Sequence, residues 1–281
     1  MSRAIVTFGR TASVDAFSYI KNSRYLDKIE ELNEDFLIQN LPEILKGDDT
    51  RPSIYDIDRE HFTLPVLQFD ENGNHELHYL KPEFYMPFIG CRNGESVLYI
   101  PLKAGARDCV DRIDVYFLYF SIKQVIGIGY FGQFSRNVNK PGFTVVPSDS
   151  VNYDLPFEIP ESMPSEKLQK IIHESYGRYG IEVRDGIIMS KRNMSDIPQN
   201  EIDCFESRGV IGVDMETAAF LDYCNRHNIA AGSILIAGDP VQGTIFDREM
   251  KMYCRDKTAI KPMQNAVEIA TEILSCYKNI I

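Results

Sequence analysis

Residues 210–243 read VIGVDMETAAFLDYCNRHNIAAGSILIAGDPVQG, and their patterning decides the fold class. Asp214, Met215, Glu216 and Thr217 stand ahead of apolar residues at helical spacing (Ala218, Ala219, Phe220, Leu221, Cys224), and the run stops at the polar stretch 225–228. That spacing, with acids at its start and polar residues at its end, predicts a helix whose first turn carries a carboxylate. Residues 230–237 form a continuous small and aliphatic run of strand length, followed by Gly238, Asp239 and Pro240. A strand buried on both faces reads this way, and proline cannot donate the next ladder bond. Asp239 is therefore expected at the carboxyl end of a buried strand, where open α/β sheets build their sites. Taken singly, each acid has an ordinary explanation. The helix dipole favours a glutamate in a first turn, and aspartate before proline is a common turn former.

Composition sets the outer limits. The 281 residues are 44% apolar and 25% charged, enough to bury a large core. A net charge of −11 without a Lys/Arg cluster argues against nucleic acid as a partner. Cys91, Cys109, Cys204, Cys224, Cys254 and Cys276 are dispersed without CxxC pairs, which predicts free thiols in a reducing compartment and no zinc site. No run of about 18 apolar residues and no leader pattern is present, so the expectation is a cytoplasmic protein with no membrane partner.

The chain changes texture near residue 90. Beyond it, short aliphatic runs alternate with helical patterns; before it, the sequence is irregular and richer in charge. This predicts an α/β core over residues 91–281, with residues 1–90 as an N-terminal elaboration packed on it in one structural domain. Within the elaboration, residues 4–8 suit a strand. Residues 16–45 carry Phe17, Ile20, Leu26, Ile29, Leu32, Phe36, Leu41 and Leu45 at helical spacing, which predicts one or two helices. Residues 64–69 and 76–80 flank Asn72-Gly73, a hairpin signal. The core opens with a strand over 96–102, a Gly105-Ala106-Arg107 loop and an amphipathic helix bearing Val110, Ile113, Phe117 and Phe120; strands follow over 125–128 and 143–147.

Residues 127–132 spell GIGYFG, a GxGxxG match. A dinucleotide site needs a helix opening at those glycines to receive a pyrophosphate, and residues 133–142 (QFSRNVNKPG) have no apolar helical face. The spelling alone therefore carries little weight.

The order of VDMETAA, helix, aliphatic strand and Asp239 resembles the nucleoside phosphorylase and nucleosidase superfamily. Its members include purine nucleoside phosphorylase, uridine phosphorylase and methylthioadenosine/S-adenosylhomocysteine nucleosidase. Gly129 to Gly132, Gly142 and the stretch from Thr144 to Asp149 fall in the order of that family's second signature, a strand leading to a Gly-Thr-x-Gly turn. The likeness runs from about Ser96 to the C-terminus. It implies an α/β fold of three layers, α/β/α, around a central mixed sheet. It also implies cleavage of an N-glycosidic bond, with Glu216 holding the ribose, Met215 against the sugar and Asp239 serving a purine. Gly105 and Arg107 would lie in the loop facing the sugar. Gly129, Tyr130, Phe131 and Gly132 would form the second loop, and the segment 188–194, with Ser190 and Asn193, would flank the base.

Departures from the pattern bear on the acceptor. The phosphorylases hold phosphate with an arginine ahead of the turn, a Thr or Ser within it, and a Gly-Asp-Pro-x-Arg motif after the first strand. Here those places read Gly127, Tyr130 and, at best, Gly9-Arg10. A buried phosphate dianion without cationic and hydroxyl partners is costly, so hydrolysis by water is expected over phosphorolysis. Arg10 or Arg107 could rebuild an anion site, and inorganic phosphate would then be the co-substrate; no other cofactor is implied. A non-catalytic nucleoside-binding protein of the same fold is a further alternative, as is a structural subunit whose elaboration meets a protein partner. Retention of both Glu216 and Asp239 weighs against a pure binder. The resemblance also implies a homo-oligomer, a dimer or trimer of dimers, in which His61, His75 or His78 could reach a neighbour's site, although surface histidines are commoner. His173 and His227 fall on helical segments and are expected to face solvent.

Overall fold

A computed structural model describes residues 2–32, 64–69, 75–80, 87–102, 105–134, 142–153, 162–191, 197–240, 246–247 and 252–277, with side chains left aside at 10–11, 64–69, 75–80, 106–108, 118, 239–240, 246–247 and 252–256. Its centre is β1 (Arg3–Phe8), six buried residues that pair in parallel with β6 (Glu95–Pro101) on one side and β7 (Gln124–Gln133) on the other. A strand flanked and covered on both sides can be apolar throughout, which is why RAIVTF shows little alternation.

The main sheet has nine strands in the order β10-β9-β8-β11-β7-β1-β6-β5-β2, where β2 is Lys28–Glu31, β5 Phe88–Arg92, β8 Thr144–Asn152, β9 Val183–Ser190, β10 Val210–Asp214 and β11 Ala230–Pro240. β11 runs parallel to β7, whereas β8 meets β11 and β5 meets β6 antiparallel, so the sheet is mixed. The register of β7 positions the site. β1 accompanies it only as far as Phe8↔Gly129; β10 then pairs with it antiparallel at Val213↔Gly132 and Gly212↔Gln133. Strands β7, β11, β8, β9 and β10 thereby close on themselves.

Helices cover both faces. Alternate residues of the strands point to opposite sides. Ile5, Ile126, Ile128, Ile234 and Ile236 pack with Ile172 of α4 (Glu166–Arg178) and Met263, Val267 and Leu274 of α7 (Ile260–Cys276). Val6, Leu98, Val125 and Leu235 pack with Ile113 and Phe117 of α3 (Ala106–Phe120) and Phe220 and Leu221 of α6 (Thr217–Arg226). This is the expected three-layer α/β/α arrangement around a mixed sheet. α5 (Gln199–Glu206) adds Ile202 to a smaller cluster with Met189 and Val210. Among the described residues, no helix is long and apolar enough to cross a membrane.

The N-terminal part differs from its reading. Helical spacing over 16–45 predicted one or two helices; among the described residues there, the end of a π turn (Val14–Ser18) that follows α1 (Arg10–Ser13) and the short α2 (Tyr19–Asn22) are helical, whereas Lys28–Glu31 is β2. The edge offered by β5 outweighs local spacing there, since β2 pairs with it antiparallel while Ile29 packs onto the core. Residues 33–45 and the Asn72-Gly73 turn lie outside the described residues. The strands flanking that turn, β3 (Leu64–Phe69) and β4 (His75–Leu80), do pair antiparallel. β13 (Met252–Asp256) joins β3 in parallel, and β12 (Phe246–Asp247) completes a second, four-stranded sheet. β1, assigned from sequence to the elaboration, lies inside the main sheet.

Candidate active site

Glu216 is the N-cap of α6, not a first-turn residue, with φ −128° and ψ −36°. The first free amides of a helix must find acceptors, and an N-cap side chain usually provides one. Glu216 caps nothing. Thr217 N–H donates to Asp214 Oδ2 at 3.0 Å, and Ala218 N–H donates to Ser190 Oγ at 2.8 Å. The Glu216 carboxylate turns instead to the start of α3: Gly105 N–H donates to its Oε1 at 2.5 Å, and Met215 N–H donates to Oε2 at 3.2 Å. It is 5% exposed, and a carboxylate so buried needs such donors. Gly105 has φ +113° with open space where a Cβ would stand, so backbone conformation is what requires glycine here. Met215, beside Glu216, is half-buried.

The second carboxylate comes from the end of β11. Its register shifts between Ala237 and Asp239, a bulge that re-aims the chain at the strand's end. Asp239 then stands opposite Gly132 of β7. Gly132 also faces Val213 of β10, three residues before Glu216, so one glycine is flanked by the strand that carries Asp239 and by the strand that leads to Glu216. With neighbouring strands about 4.8 Å apart, these flanking backbone positions are on the order of 10 Å apart.

The remaining candidates divide. Ser190 forms part of the bracing just described, donating to Asp214 Oδ1 at 2.5 Å. Tyr130 and Phe131, read together as one loop, point to opposite faces because both lie within extended β7. Tyr130 O–H donates to Asp15 Oδ2 at 2.7 Å. Phe131 is fully buried, edge-on to Phe143 at 5.5 Å, so its ring is part of the core. Gly129 and Gly132 are likewise residues of the strand rather than of a turn. The backbone of Arg107 lies in the first turn of α3, and Asn193 lies outside the described residues. The histidines on helical segments are engaged: His173 Nε2 lies 3.0 Å from Asp185 Oδ1, and the ring of His227 stacks on Tyr223 at 4.3 Å.

Sequence reading missed Phe8 and Asp214. The Phe8 ring lies across β7, where a Cβ on Gly127 would come within 2.4 Å of Phe8 Cζ and one on Gly129 within 2.9 Å of Phe8 Cβ. The ring's outer side meets Phe220 edge-on at 5.2 Å. Two glycines at positions i and i+2 of a strand mark the close approach of a neighbour, a signal hidden by the GxGxxG spelling. Asp214 is 5% exposed and accepts from Ser190 Oγ, Thr217 N and Thr217 Oγ. Burial pushes its carboxyl up from the ordinary carboxylate range, against the pull of those donors.

Known proteins resemble this chain in sequence and in shape. A purine nucleoside phosphorylase of DeoD type from Shewanella oneidensis is 26% identical over 128 residues, 43% of this chain and about half, 54%, of that relative's length. The fold matches a purine nucleoside phosphorylase from Toxoplasma gondii, solved with immucillin-H, at a TM-score of 0.64 and 14% identity, covering 98% of this chain and 92% of that one. A 5′-methylthioadenosine/S-adenosyl homocysteine nucleosidase from Campylobacter jejuni gives 0.61 at 11% identity, covering 99% and 100%. Uridine phosphorylase from Vibrio fischeri gives 0.64 at 16%, covering 97% and 91%. Likeness at such identities establishes the fold alone. The family model of the phosphorylase superfamily matches residues 113–273, more than half of the sequence, from within α3 to within α7, and on that match the chain belongs to the phosphorylase superfamily.

Proposed function

We propose that the chain cleaves the N-glycosidic bond of a purine nucleoside with water as the acceptor, releasing free base and ribose. The observation that carries this reading is the pairing of Gly132 with both Asp239 and Val213, which sets two carboxylate-bearing segments at one end of β7. Cleavage builds positive charge on the sugar and negative charge on the departing base, so a carboxylate beside the ring and an acid beside the base meet both needs. Glu216 accepts hydrogens from the ribose hydroxyls, on the side where it now holds Gly105 N–H. Met215 packs against the sugar. As the bond from C1′ to purine N9 breaks, its electron pair goes to the base, Asp239 delivers a proton at N7, and water adds to C1′ and loses a proton. An acid at that end of β11 favours a purine over a pyrimidine.

The choice of water rests on Phe8. The place of the family's phosphate arginine is Gly127, and the space above it holds the Phe8 ring, which is 3% exposed. An anion there would meet an aromatic ring in place of the guanidinium that an arginine at 127 would supply. The name of the Shewanella relative favours a second reading, phosphorolysis, with Arg10 or Arg107 rebuilding the anion site. The reading further includes a cytoplasmic homo-oligomer, a dimer or trimer of dimers, with no cofactor. Incubation with inosine, adenosine and methylthioadenosine, with and without tens of millimolar phosphate, tests the chemistry. Free ribose formed at a rate indifferent to phosphate is the expected result. Ribose 1-phosphate, formed at a rate that collapses in Arg10→Ala or Arg107→Ala, overturns the choice of water and keeps N-glycosidic cleavage.

A further inference from the structure

The geometry points to Asp214 and Ser190 as positioning residues that keep the Glu216 carboxylate aimed at the sugar by capping α6 in its place; the inference rests on the proposed role of Glu216. The two are register partners in the parallel pair β9–β10, so the sheet itself sets them side by side. Both are 5% exposed. The Ser190 hydroxyl is used in both directions, donating to Asp214 Oδ1 at 2.5 Å and accepting from Ala218 N–H at 2.8 Å. Asp214 Oδ2 takes Thr217 N–H at 3.0 Å together with the Thr217 hydroxyl. The first two amides of α6 are thus satisfied from outside the helix. Buried amides left open would draw a neighbouring carboxylate, and Glu216 stands at the N-cap, the position whose side chain ordinarily serves them. With the brace on these two amides, the Glu216 carboxylate is turned to Gly105 instead. The predicted failure is therefore specific: without the brace, Glu216 swings onto the end of α6 and leaves the sugar.

A double-mutant cycle on adenosine cleavage tests this. In the full-length protein, Ser190→Ala is expected to lower kcat by up to about 100-fold with a smaller change in KM, as misplacement of a positioning group does. In the Glu216→Gln background the same change should cost no more than about threefold, because the brace has nothing left to aim. Ser190→Thr, which keeps the hydroxyl, should restore most of the loss. A brace that only holds the fold would lower the unfolding midpoint while leaving kcat per folded molecule unchanged, or would cut kcat equally in both backgrounds; either kcat outcome overturns the proposal. Asp214→Asn keeps shape and one acceptor oxygen and carries the same cycle if Ser190→Ala does not fold. Adenosine affinity, by equilibrium dialysis, is followed in parallel. A protein that binds but releases no base overturns the cleavage reading alone, and the cycle is then read on affinity. One that neither binds nor cleaves overturns both.

Discussion

The two ends of β7 are built from similar residues and do opposite work. From Gln124 to Gly129 the strand runs between β1 and β11, and the Phe8 side chain lies across its glycines. At Gly132 and Gln133 the neighbour on one side has changed from β1 to β10, and the strand is flanked by the segments bearing Asp239 and Glu216. Glycine serves close packing at one end and a meeting of three strands at the other. The difference teaches that the candidate site begins where β1 stops, since only there can another strand bring a helix N-terminus beside β7.

The largest effects should come from the end that β10 lines. Asp239→Asn is expected to abolish base release, because an amide cannot protonate the leaving purine. Glu216→Gln should lower turnover by about 100-fold, since the neutral amide loses the charge-assisted grip on the ribose. Both variants should keep a cooperative unfolding transition. Turnover of Glu216→Gln within a few-fold of the parent would show that β10 brings no sugar-binding group. Next in size are changes at the end covered by Phe8, which should appear in stability. Phe8→Ala should cost about 3–5 kcal/mol by emptying a core site. Gly127→Ala should cost about 1–3 kcal/mol, because its Cβ would enter the Phe8 ring. The double variant should be more stable than the sum predicts, the new methyl group entering the vacated space. Simple additivity in urea melts would show that the ring does not seal that half. The smallest effect concerns pH. The folded protein holds the Asp214 carboxyl above its ordinary value through burial, so the stability tied to its protonated form is full below the ordinary carboxylate range and is lost as pH rises through the folded value. Asp214→Asn has no such titration, and its deficit in unfolding midpoint should shrink from acidic to neutral pH. A deficit constant with pH would place the cost in the lost hydrogen bonds alone.

Legibility followed burial. Strand β11 and helix α6 could be read closely, because a buried aliphatic run and an apolar helical face leave few alternatives. β2 could not, because its four mostly exposed residues acquire strand structure from the open edge of β5 and not from their own preference. Phe131 reads as part of a loop because a GxxG spelling suggests a turn. Ten residues of continuous extended chain turn its ring into the core and Tyr130 toward Asp15 instead.

The sequence by itself determined the α/β class, the helix with its acid and the strand ending in Asp239, because local periodicity and chain breakers act over a few residues at a time. It also fixed the absence of an arginine at position 127. Only the tertiary structure decided that Gly132 would be shared between β10 and β11, that Phe8 would occupy the space above Gly127, and that Asp214 and Ser190 would cap α6 in place of Glu216. Each joins residues far apart in the chain, through strand register or a side chain crossing between layers, and nothing in a local stretch of sequence specifies those distances.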